Sequence, residues 1–323
     1  MARTLTYMKA ITEAIAQEME RDPKVVVMAI DARASTFGQT LGLVDKFGPD
    51  RVINTPISEA AFTGAAMGMA ETGMRPVVDL LHSEFTLLPM NHLCIEAAQQ
   101  HYYSGGQVSF PMVVCSLVGT FGGLVGSHSQ SPEVSFVNFP GLKVIVPSTP
   151  YDMKGLLKSA IRDNNLVMSF EHKLLFGMEG EVPEDDYTIP LGQAVVRREG
   201  KHATVVATLL MVHKAMKAAE MLSQEGIEIE VIDPRTLAPL DEDTIFQSVR
   251  KTGRLITVEE SRLRCGIGAE ISALVAEKAF DYLDAPLQRI AGPMIPVGAG
   301  LAFKEYFIPS EEDIVRAVKK VVG

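Results

Sequence analysis

Short apolar runs alternate with segments of helical periodicity along most of this chain, and that alternation limits its fold more than any other feature. Val25–Ile30 is an uninterrupted apolar run, the pattern of a strand buried on both faces. Before it, apolar residues recur at helical spacing from Thr6 to Arg21, and the helix they predict ends before Pro23. Strands that alternate with helices in this way indicate an α/β fold with a doubly wound parallel sheet.

The alternation forms two series, separated by an acidic, proline-containing stretch between His172 and Gly200. After Val25–Ile30, the first series predicts strands at Pro76–Leu81, Pro111–Cys115, Leu142–Val146 and Leu166–Phe170, and helices at Leu41–Phe47, after Ser58, at Leu87–Tyr103 and up to Ile161. The second predicts strands at Ala203–Ala207, Ile227–Ile232, Arg254–Val258 and Leu287–Ile290, and a last helix at Glu311–Val321. We therefore expect two domains, at residues 1–185 and 203–323, joined by a linker at 186–202.

The composition excludes several classes of protein. A net charge of -10 and a pI near 5.3 argue against binding to nucleic acid or to an anionic membrane. The three cysteines are widely spaced and form no CxxC pair, so we expect reduced thiols rather than a disulfide or a zinc site. No apolar run reaches the roughly 18 residues of a membrane span and no secretion-signal pattern is present, which predicts a cytoplasmic protein. Dinucleotide, P-loop, GxSxG and HExxH motifs are also missing from the sequence.

Glu59 is the first candidate functional residue. It follows the strand-like run Arg51–Asn54 and opens a helix rich in alanine and glycine, with Ser58 at the N-cap position. A carboxylate in the first turn of a helix that follows a strand lies where α/β folds bind ligands. An acid at this position also complements the helix dipole without any further role, and on Glu59 alone this alternative stays open.

Phe85 and His128 are the other candidates of the first series. Phe85 follows the predicted strand Pro76–Leu81, and His128 lies in a glycine-rich stretch from Gly119 to Glu133 that has no apolar period and therefore predicts a loop. Because the carboxyl ends of parallel strands share one edge of a sheet, we expect Glu59, Phe85 and His128 to converge. Taken alone, Phe85 is more typical of a core residue, whereas an imidazole in a polar loop suits proton transfer.

Several longer motifs occur in a fixed order along the chain. They are Lys46–Val52, Thr55–Glu59, His128–Pro132, Gly141–Pro150, Lys154–Lys158, Asp233–Leu240 and Gly266–Glu270. Through them the whole chain resembles the beta subunit of the thiamine-diphosphate-dependent decarboxylating component of 2-oxo-acid dehydrogenase complexes. Glu171–Phe176 and Glu179–Glu184 most resemble the corresponding segments of acetoin dehydrogenase beta subunits. The resemblance implies a transketolase-like pyrimidine-binding domain followed by a smaller α/β domain like the C-terminal domain of transketolase.

The resemblance assigns roles to the candidate residues. Glu59 matches the glutamate that hydrogen-bonds N1′ of the aminopyrimidine ring of the cofactor and thereby helps to activate its thiazolium carbon. Phe85 matches the aromatic residue on which the pyrimidine stacks, and His82 stands where relatives carry a second aromatic residue of the cofactor site. His128 matches the loop histidine that faces the substrate, which is suited to stabilise charge on the substrate oxygen or to move protons during acyl transfer to a lipoyl arm.

The resemblance also implies that this chain forms only half of an active site. The Gly-Asp-Gly motif and the later Asn that hold Mg²⁺ and the diphosphate in the family have no counterpart in this sequence, so we expect an alpha subunit to supply them in an α2β2 heterotetramer. The second domain is expected to form the beta–beta contact and to bind the acyltransferase core. A monovalent-cation (K⁺) site is implied at Ala160, Ile161, Asp163 and Asn165.

The sequence departs from the family pattern on the substrate side. Cys115 and a position near Gly123 stand where relatives carry arginine, Ala29–Asp31 replaces Gly-Glu-Asp, and Glu84 replaces the aspartate before Phe85. Loss of positive charge favours a neutral substrate such as acetoin over an anionic 2-oxo acid such as pyruvate or a branched-chain acid. The expected function is that of an oxidoreductase subunit that cleaves one of these substrates and transfers the acyl group to lipoamide.

Two alternatives use the same sequence features differently. A split transketolase-like or deoxyxylulose-phosphate-synthase-like transferase would keep the cofactor, but its phosphorylated substrates require basic residues, which the loop around His128 lacks. A non-catalytic pairing or scaffold subunit would be free to lose Glu59 and His128, and both are present.

Overall fold

The computed structural model describes residues 2–121 and 124–323, which divide into two compact units. Unit 1 consists of Met1–Val118 and Ser135–Leu191, and unit 2 consists of Gly119–Val134 and Gly192–Gly323. The segment Gly119–Val134, called the histidine loop below, lies between elements of unit 1 in the chain, yet its contacts group it with unit 2. The histidine loop is therefore described with unit 2.

Unit 1 contains a parallel sheet, as the alternation of strands and helices predicted. Its strands are β1 (Ala2–Thr6), β2 (Val25–Ile30), β3 (Val52–Thr55), β4 (Arg75–His82), β5 (Val113–Val118), β6 (Lys143–Ile145), β7 (Val167–His172) and β8 (Glu179–Pro183). Its helices are α1 (Tyr7–Arg21), α2 (Leu43–Phe47), α3 (Glu59–Glu71), α4 (Ala98–Tyr103) and α5 (Pro150–Arg162). The parallel strands follow the order β6-β7-β5-β4-β2-β3. The predicted doubly wound fold is confirmed.

The strand order of this sheet creates a ligand-binding position. β3 pairs with one side of β2 and β4 pairs with the other side, so the order reverses between β2 and β4. In open α/β sheets, ligands bind outside the carboxyl ends of the strands at such a switch point. The segments that follow β2, β3 and β4 are therefore the ones in which functional side chains are expected.

The helix starts of unit 1 follow from local sequence. Thr6 caps α1 because its hydroxyl accepts a hydrogen bond from the backbone N–H of Lys9, at 3.2 Å. Thr149 caps α5 in the same way through the N–H of Asp152, and Pro150 occupies the first helical position, where a missing N–H costs no hydrogen bond. Threonine followed by a run of helical periodicity was thus an accurate signal at both places.

Two features of unit 1 differ from the sequence prediction. The helix predicted at Leu87–Tyr103 is divided: Ser83–Leu87 forms a 3₁₀ turn, and α4 is preceded by a π-helical turn at His92–Ala97. Pro89 lies at the break, where the proline has no N–H to continue the preceding turn. The antiparallel pair formed by β1 and β8 was also not predicted, because it joins polar segments that are far apart in the chain.

Unit 2 contains a smaller mixed sheet. The strands of this sheet are β9 (Val195–Arg198), β10 (Ala203–Ala207), β11 (Ile229–Asp233), β13 (Leu255–Arg262) and β14 (Gln288–Gly292). Unit 2 also contains the short strand β12 (Thr236–Ala238), which is not part of this sheet, and the helices α6 (Leu210–Ser223), α7 (Glu242–Thr252), α8 (Ile267–Lys278), α9 (Leu301–Phe307) and α10 (Glu311–Val322). The sheet order is β14-β13-β10-β11-β9, and β9 is antiparallel to its neighbour. Among the residues that the structure describes, no helix has the length and apolarity needed to cross a membrane.

A buried glutamate joins α1 to α5. Glu18 is fully buried and accepts hydrogen bonds from Arg162, at 2.7 Å to Nη2, and from Arg21, at 2.7 Å to Nε. The ammonium group of Lys158, whose side chain is also buried, lies 3.8 Å from the Glu18 carboxylate. A buried carboxylate is tolerated here because cations surround it. Lys158 and Arg162 also form ion pairs with the exposed carboxylate of Asp186.

We expect Glu18→Ala to lower the free energy of unfolding by about 1–3 kcal/mol, because the substitution removes the fully buried acceptor of Arg21 and Arg162, while Lys158 keeps its ion pair with the exposed Asp186. Urea denaturation measures this effect. Glu20→Ala is the matched control on the same helix: Glu20 pairs with Lys46 at the surface, where an ion pair contributes no more than about 1 kcal/mol. Equal losses in the two variants would contradict the role assigned to Glu18.

Candidate functional site

Glu59 is the first residue of α3, and it follows the end of β3, at Thr55, by four residues. Its side chain is mostly buried, with 6% of the residue exposed. Ser58 occupies the N-cap position, but its side chain makes no capping hydrogen bond, so that detail of the sequence prediction is wrong. A carboxylate in the first turn therefore faces the partial positive charge of the helix start.

Buried hydroxyl groups without partners lie on both sides of Glu59 in the chain. Within the described residues, the Oγ1 atoms of Thr55 and Thr63 are buried and have no hydrogen-bond partner. Thr63 lies four residues after Glu59, on the same face of α3. Because an unsatisfied buried hydroxyl is costly, such atoms indicate a place where a polar ligand completes the hydrogen bonding.

The carboxyl end of β4 is held in a strained conformation. Leu81 has a φ of 58°, in the left-handed region that residues other than glycine rarely adopt. Two contacts stabilise it: the N–H of Leu81 donates to Asp79 Oδ1 at 2.8 Å, and Ser116 Oγ donates to the Leu81 carbonyl at 3.2 Å. Strain of this kind is concentrated at functional sites, and here it immediately precedes His82 and the turn that carries Phe85.

Three aromatic rings cluster beside the switch point. His82 makes edge-to-face contacts with Phe85, at 5.9 Å between ring centroids, and with Phe37, at 5.3 Å. His82 is itself buried, with 5% exposed. The sequence prediction included His82 and Phe85 but not Phe37. Phe37 lies in the segment after β2, and the same argument that selected Phe85, an aromatic residue after a buried strand, would have selected it.

A group of buried acids lies on the adjacent strands β4, β5 and β7. Asp79 pairs in register with Cys115, and both are 6% exposed. Glu171 is 1% exposed, and its carboxyl group accepts hydrogen bonds from Ser169 Oγ at 2.6 Å and from the Ser116 N–H at 3.1 Å. Cys115 is therefore flanked by two buried carboxyl groups.

Burial controls the protonation of this group. It raises the pKa of Asp79 to about 6, against the hydrogen bond from the Leu81 N–H. It also raises the pKa of Glu171 well above its usual value, and the proximity of Asp79 adds to that rise. The pKa of the Cys115 thiol is raised by burial and by both carboxyl groups. The thiol is thus not an activated nucleophile, since nucleophilic cysteines have lowered pKa values.

His128 lies in unit 2, near the middle of the histidine loop. Its ring Nδ1 is 2.9 Å from Ser127 Oγ, and its backbone N–H donates to the Val125 carbonyl at 2.9 Å. Gly123, where the sequence suggests the loss of a second arginine, lies outside the described residues. Since His128 belongs to unit 2 and both Glu59 and Phe85 belong to unit 1, the convergence of these three residues stays a prediction.

The turn after α5, where a K⁺ site was predicted, contains cations of the chain itself. Arg75 Nη1 donates to the carbonyl oxygens of Ile161, at 3.0 Å, and Asp163, at 2.8 Å. Burial raises the pKa of Asp163, but hydrogen bonds from Lys143 and Asn165 outweigh it and hold that pKa below its usual value. The Ala160 carbonyl accepts from the Asp163 N–H. A K⁺ ion would have to share these oxygens with Arg75, and the K⁺ site stays a prediction.

Within residues 2–121 and 124–323, no group of three or more His, Cys, Asp or Glu side chains is arranged to hold a metal ion.

Two family models match the chain. The one described as "Transketolase, pyrimidine binding domain" matches residues 3–178, and the one described as "Transketolase, C-terminal domain" matches residues 192–314. Together they account for most of the chain, and the first includes Glu59, His82, Phe85 and His128.

Relatives match over the full length of the chain. It is 44% identical over 334 residues to the acetoin:2,6-dichlorophenolindophenol oxidoreductase subunit beta of Cupriavidus necator, which covers 100% of this chain and 98% of that protein. It is 43% identical to the subunit of the same name from Bacillus subtilis, with the same coverage. It is 41% identical to the pyruvate dehydrogenase E1 component subunit beta of Rickettsia felis, covering 98% of each. The identities to the acetoin and pyruvate enzymes differ too little to decide between acetoin and pyruvate as the substrate.

Solved structures share the fold. A split-gene transketolase, described as an inactive beta4 tetramer, matches with a TM-score of 0.80 at 23% identity and covers 98% of both chains. Transketolase from Leishmania mexicana matches with a TM-score of 0.73 at 17% identity, covering 99% of this chain and 46% of that one. At these identities the likeness shows the fold alone.

The raised pKa of Asp79 gives a stability test. Its folded-state pKa of about 6 exceeds the ordinary value of 3.8, so the neutral form is favoured by folding and stability is lost as pH rises from about 4 through 6. Asp79→Asn keeps an oxygen for the Leu81 N–H but cannot ionise. We therefore expect the difference in free energy of unfolding between this variant and the unsubstituted protein to shift in favour of the variant by up to about 3 kcal/mol from pH 4 to pH 7.

Urea denaturation at the two pH values measures this difference for Asp79→Asn. Asp50→Asn is the control, because Asp50 is exposed in the turn before β3 and its substitution should give the same stability difference at both pH values. A pH-independent effect of Asp79→Asn would show that Asp79 ionises normally in the folded protein.

Proposed function

The chain belongs to the family of transketolase-like beta subunits that contains the beta subunits of acetoin and pyruvate dehydrogenases, and on that premise we propose that it is the beta subunit of a thiamine-diphosphate-dependent dehydrogenase component. In this function it takes part in cleaving acetoin or a 2-oxo acid and in transferring the acyl group to lipoamide. The observation that carries the proposal is the mostly buried carboxyl of Glu59 at the ligand-binding edge of the sheet.

The residues of unit 1 fit the aminopyrimidine half of thiamine diphosphate. Glu59 offers a carboxyl group to a ring nitrogen, and the Thr55 and Thr63 hydroxyls offer hydrogen bonds that no described residue satisfies. When bound, the cofactor supplies a nucleophilic carbon and an electron sink, which no amino acid side chain provides. Glu59 has the task of holding and moving the proton at N1′ of the pyrimidine, which requires a carboxyl group at that atom.

The aromatic cluster of Phe37, His82 and Phe85 supplies an apolar surface for a flat ring. The edge contacts of His82 with both phenyl rings fix their orientation, and the strained backbone at Leu81 fixes where the turn with Phe85 begins. Stacking of a pyrimidine on Phe85 contributes about 1 kcal/mol beyond the burial of its area. The role of this cluster is therefore to orient the ring against Glu59.

His128 is assigned to the substrate. An imidazole in a polar loop can donate a hydrogen bond to an oxygen on which negative charge develops, or carry a proton to and from it. Its ring Nδ1 lies 2.9 Å from Ser127 Oγ, a contact that helps to orient the imidazole.

The proposed function requires an alpha subunit. We assign the Mg²⁺ and diphosphate ligands to that subunit, because this sequence lacks the Gly-Asp-Gly motif. Apolar side chains are exposed on unit 1 in segments that follow β3 and β4, namely Ile57, Leu87 and Leu88, at 81%, 52% and 60%. Exposed apolar groups beside a binding edge are suited to be covered by a partner. The acyltransferase core is assigned as the acceptor of the acyl group.

The buried acids favour acetoin as the substrate. Cys115 lies between Asp79 and Glu171, in a position where resemblance leads us to expect arginine, so the positive charge of that arginine is replaced by a thiol between two carboxyl groups. A 2-oxo acid carries a carboxylate that such surroundings disfavour, whereas acetoin carries no charge. The histidine loop likewise contains no lysine or arginine, which disfavours the phosphorylated substrates of a transferase.

The catalytic role of Glu59 is tested in the complex reconstituted with its alpha subunit, thiamine diphosphate and Mg²⁺. We expect Glu59→Gln to lower kcat for dye reduction by about 10²- to 10⁴-fold, because the amide cannot transfer the proton. Glu71→Gln, at the exposed end of the same helix, is the control and should retain full activity. Full activity of Glu59→Gln would rule out the proposed chemistry, while calorimetric titration of the cofactor shows whether the variant still binds it.

The substrate assignment is tested separately on the unsubstituted complex. We expect kcat/KM for acetoin to exceed that for pyruvate and for branched-chain 2-oxo acids by at least about tenfold, since one uncompensated charge in a site disfavours a ligand by at least that factor. Steady-state dye reduction with each substrate gives the comparison. A preference for any of the 2-oxo acids would overturn the argument from the buried acids and leave the role of Glu59 intact.

A further inference from the structure

We propose that Glu260 and Arg262, at the end of β13, are positioning residues that fasten the histidine loop and so fix His128. Together with Glu133 they form what we call the loop latch. The catalytic role of His128 in this inference rests on the proposed function, whereas the fastening of the loop does not. All members of the latch and the loop belong to unit 2.

The latch fastens both ends of the loop. At the first end, the backbone N–H of Thr120 donates to Glu260 Oε1. At the second end, Arg262 Nη2 donates to Gln130 Oε1 at 3.0 Å. The two ends are also joined to each other, since the Gly119 N–H donates to the Gln130 carbonyl at 3.0 Å. His128 lies between these fastened ends, two residues before Gln130.

The strand that carries the latch is itself well fixed. Glu259, the residue before Glu260, accepts hydrogen bonds from the N–H groups of Ile267, at 2.9 Å, and Gly268, at 2.8 Å, at the start of α8. The register of β13 against β14 shifts between Val258 and Arg262, and in this irregular stretch both Glu260 and Arg262 form hydrogen bonds with the histidine loop. A rigid strand is the support from which a loop residue can be placed accurately.

Arg262 connects the latch to the C-terminal part of unit 2. Its guanidinium group lies 5.4 Å from the centre of the Phe307 ring, at the end of α9, in a cation–π contact. Phe307 is 1% exposed, so this contact holds the guanidinium against a fixed surface. Replacing Arg262 would therefore remove the hydrogen bond that joins β13 to the side chain of Gln130.

Glu133 makes the latch sensitive to pH. It is 4% exposed, and within the described residues its Oε2 has no hydrogen-bond partner. The pKa of Glu133 is raised to about 8, chiefly by burial; Glu259 and Glu260 add to this rise, while its own backbone N–H and Arg262 oppose it. Glu133 is therefore protonated at neutral pH when the loop is fastened, and its ionisation would place a third carboxylate beside two others.

The direction of the pH effect follows from this shift. A released loop exposes Glu133 to water, where it ionises near its ordinary value of 4.5. Between that pH and about 8, the fastened state holds one more proton than the released state. Rising pH therefore increases the ratio of released to fastened loop by up to about tenfold per pH unit, and the increase ends once Glu133 is ionised in both states.

Hydrogen exchange of loop amides in the complete complex tests the latch without any substrate. In Arg262→Gln, we expect protection factors of residues 124–131 to fall by at least about tenfold, because a charge-assisted hydrogen bond is lost. Arg264→Gln is the matched control: Arg264 is two residues further along and exposed. Arg262→Lys, which retains the charge, should restore part of the protection. Equal protection in Arg262→Gln and Arg264→Gln would overturn the proposal.

Measuring hydrogen exchange of the loop at several pH values tests the role of Glu133 in the unsubstituted complex. In the unsubstituted complex, protection of the loop should fall as pH rises from 6 to 8, while in Glu133→Gln it should stay constant. The same flat profile in both proteins would refute the latch. If Arg262→Gln does not fold, Glu260→Gln replaces it, because it weakens the acceptor for the Thr120 N–H.

Activity measurements separate this inference from the proposed function. If His128 acts on the substrate, kcat of Arg262→Gln falls while the calorimetric Kd for thiamine diphosphate is unchanged, because Glu59 and Phe85 are untouched. Loss of loop protection without any change in kcat would support the fastening but remove the catalytic role of His128. Activity that is absent even in the unsubstituted complex would count against the proposed function alone.

Discussion

The parallel direction of the strands in unit 1 is the constraint on which the candidate site depends. Because every strand of the parallel sheet runs the same way, the segments after β2, β3 and β4 emerge at one edge. Phe37, Glu59 and Phe85 are separated along the chain, and this edge is what their segments have in common. Glu59 adds a charge at a helix start, and the aromatic residues add a flat apolar surface. The chemistry proposed for the subunit is a consequence of this topology combined with those residue types.

The molecule treats its buried acids in two different ways. Glu18 is surrounded by arginine and lysine, so its role is to hold α1 and α5 together. Asp79, Glu171 and Glu133 are buried with fewer compensating cations, and their raised pKa values show that burial prevails over hydrogen bonding. The latter three lie in strands of the parallel sheet or in the histidine loop rather than in the packed interface of two helices. Buried acids with raised pKa values are thus concentrated in the segments that the proposed function uses.

Local sequence predicted the parts of the fold that local forces determine. The bounds of β2 and β10 agree with the apolar runs that predicted them, because a strand buried on both faces must be apolar throughout. Contacts between distant segments could not be predicted: β1 with β8 joins polar residues, and Thr120 with Glu260 spans 140 positions. At Ser58 a local signal was present without the contact it usually indicates: serine is suited to capping and occupies the N-cap position, but its side chain makes no capping hydrogen bond. The placement of Glu59, His82 and Phe85 after strands could be inferred, whereas the raised pKa of Asp79 depends on neighbours that only the fold reveals.

The pairing of β1 with β8 has a consequence for how the chain is made. Ala2 pairs with Pro183, and Thr6 pairs with Glu179, so β1 must wait for its partner until β8 has been synthesised. The histidine loop waits still longer after its own synthesis for β13, which begins only at Leu255. During translation, β2 to β7 are therefore available to pair before β1 and the histidine loop are secured. A nascent chain that stalls between residues 183 and 255 would carry β1 to β8 together with an unfastened histidine loop.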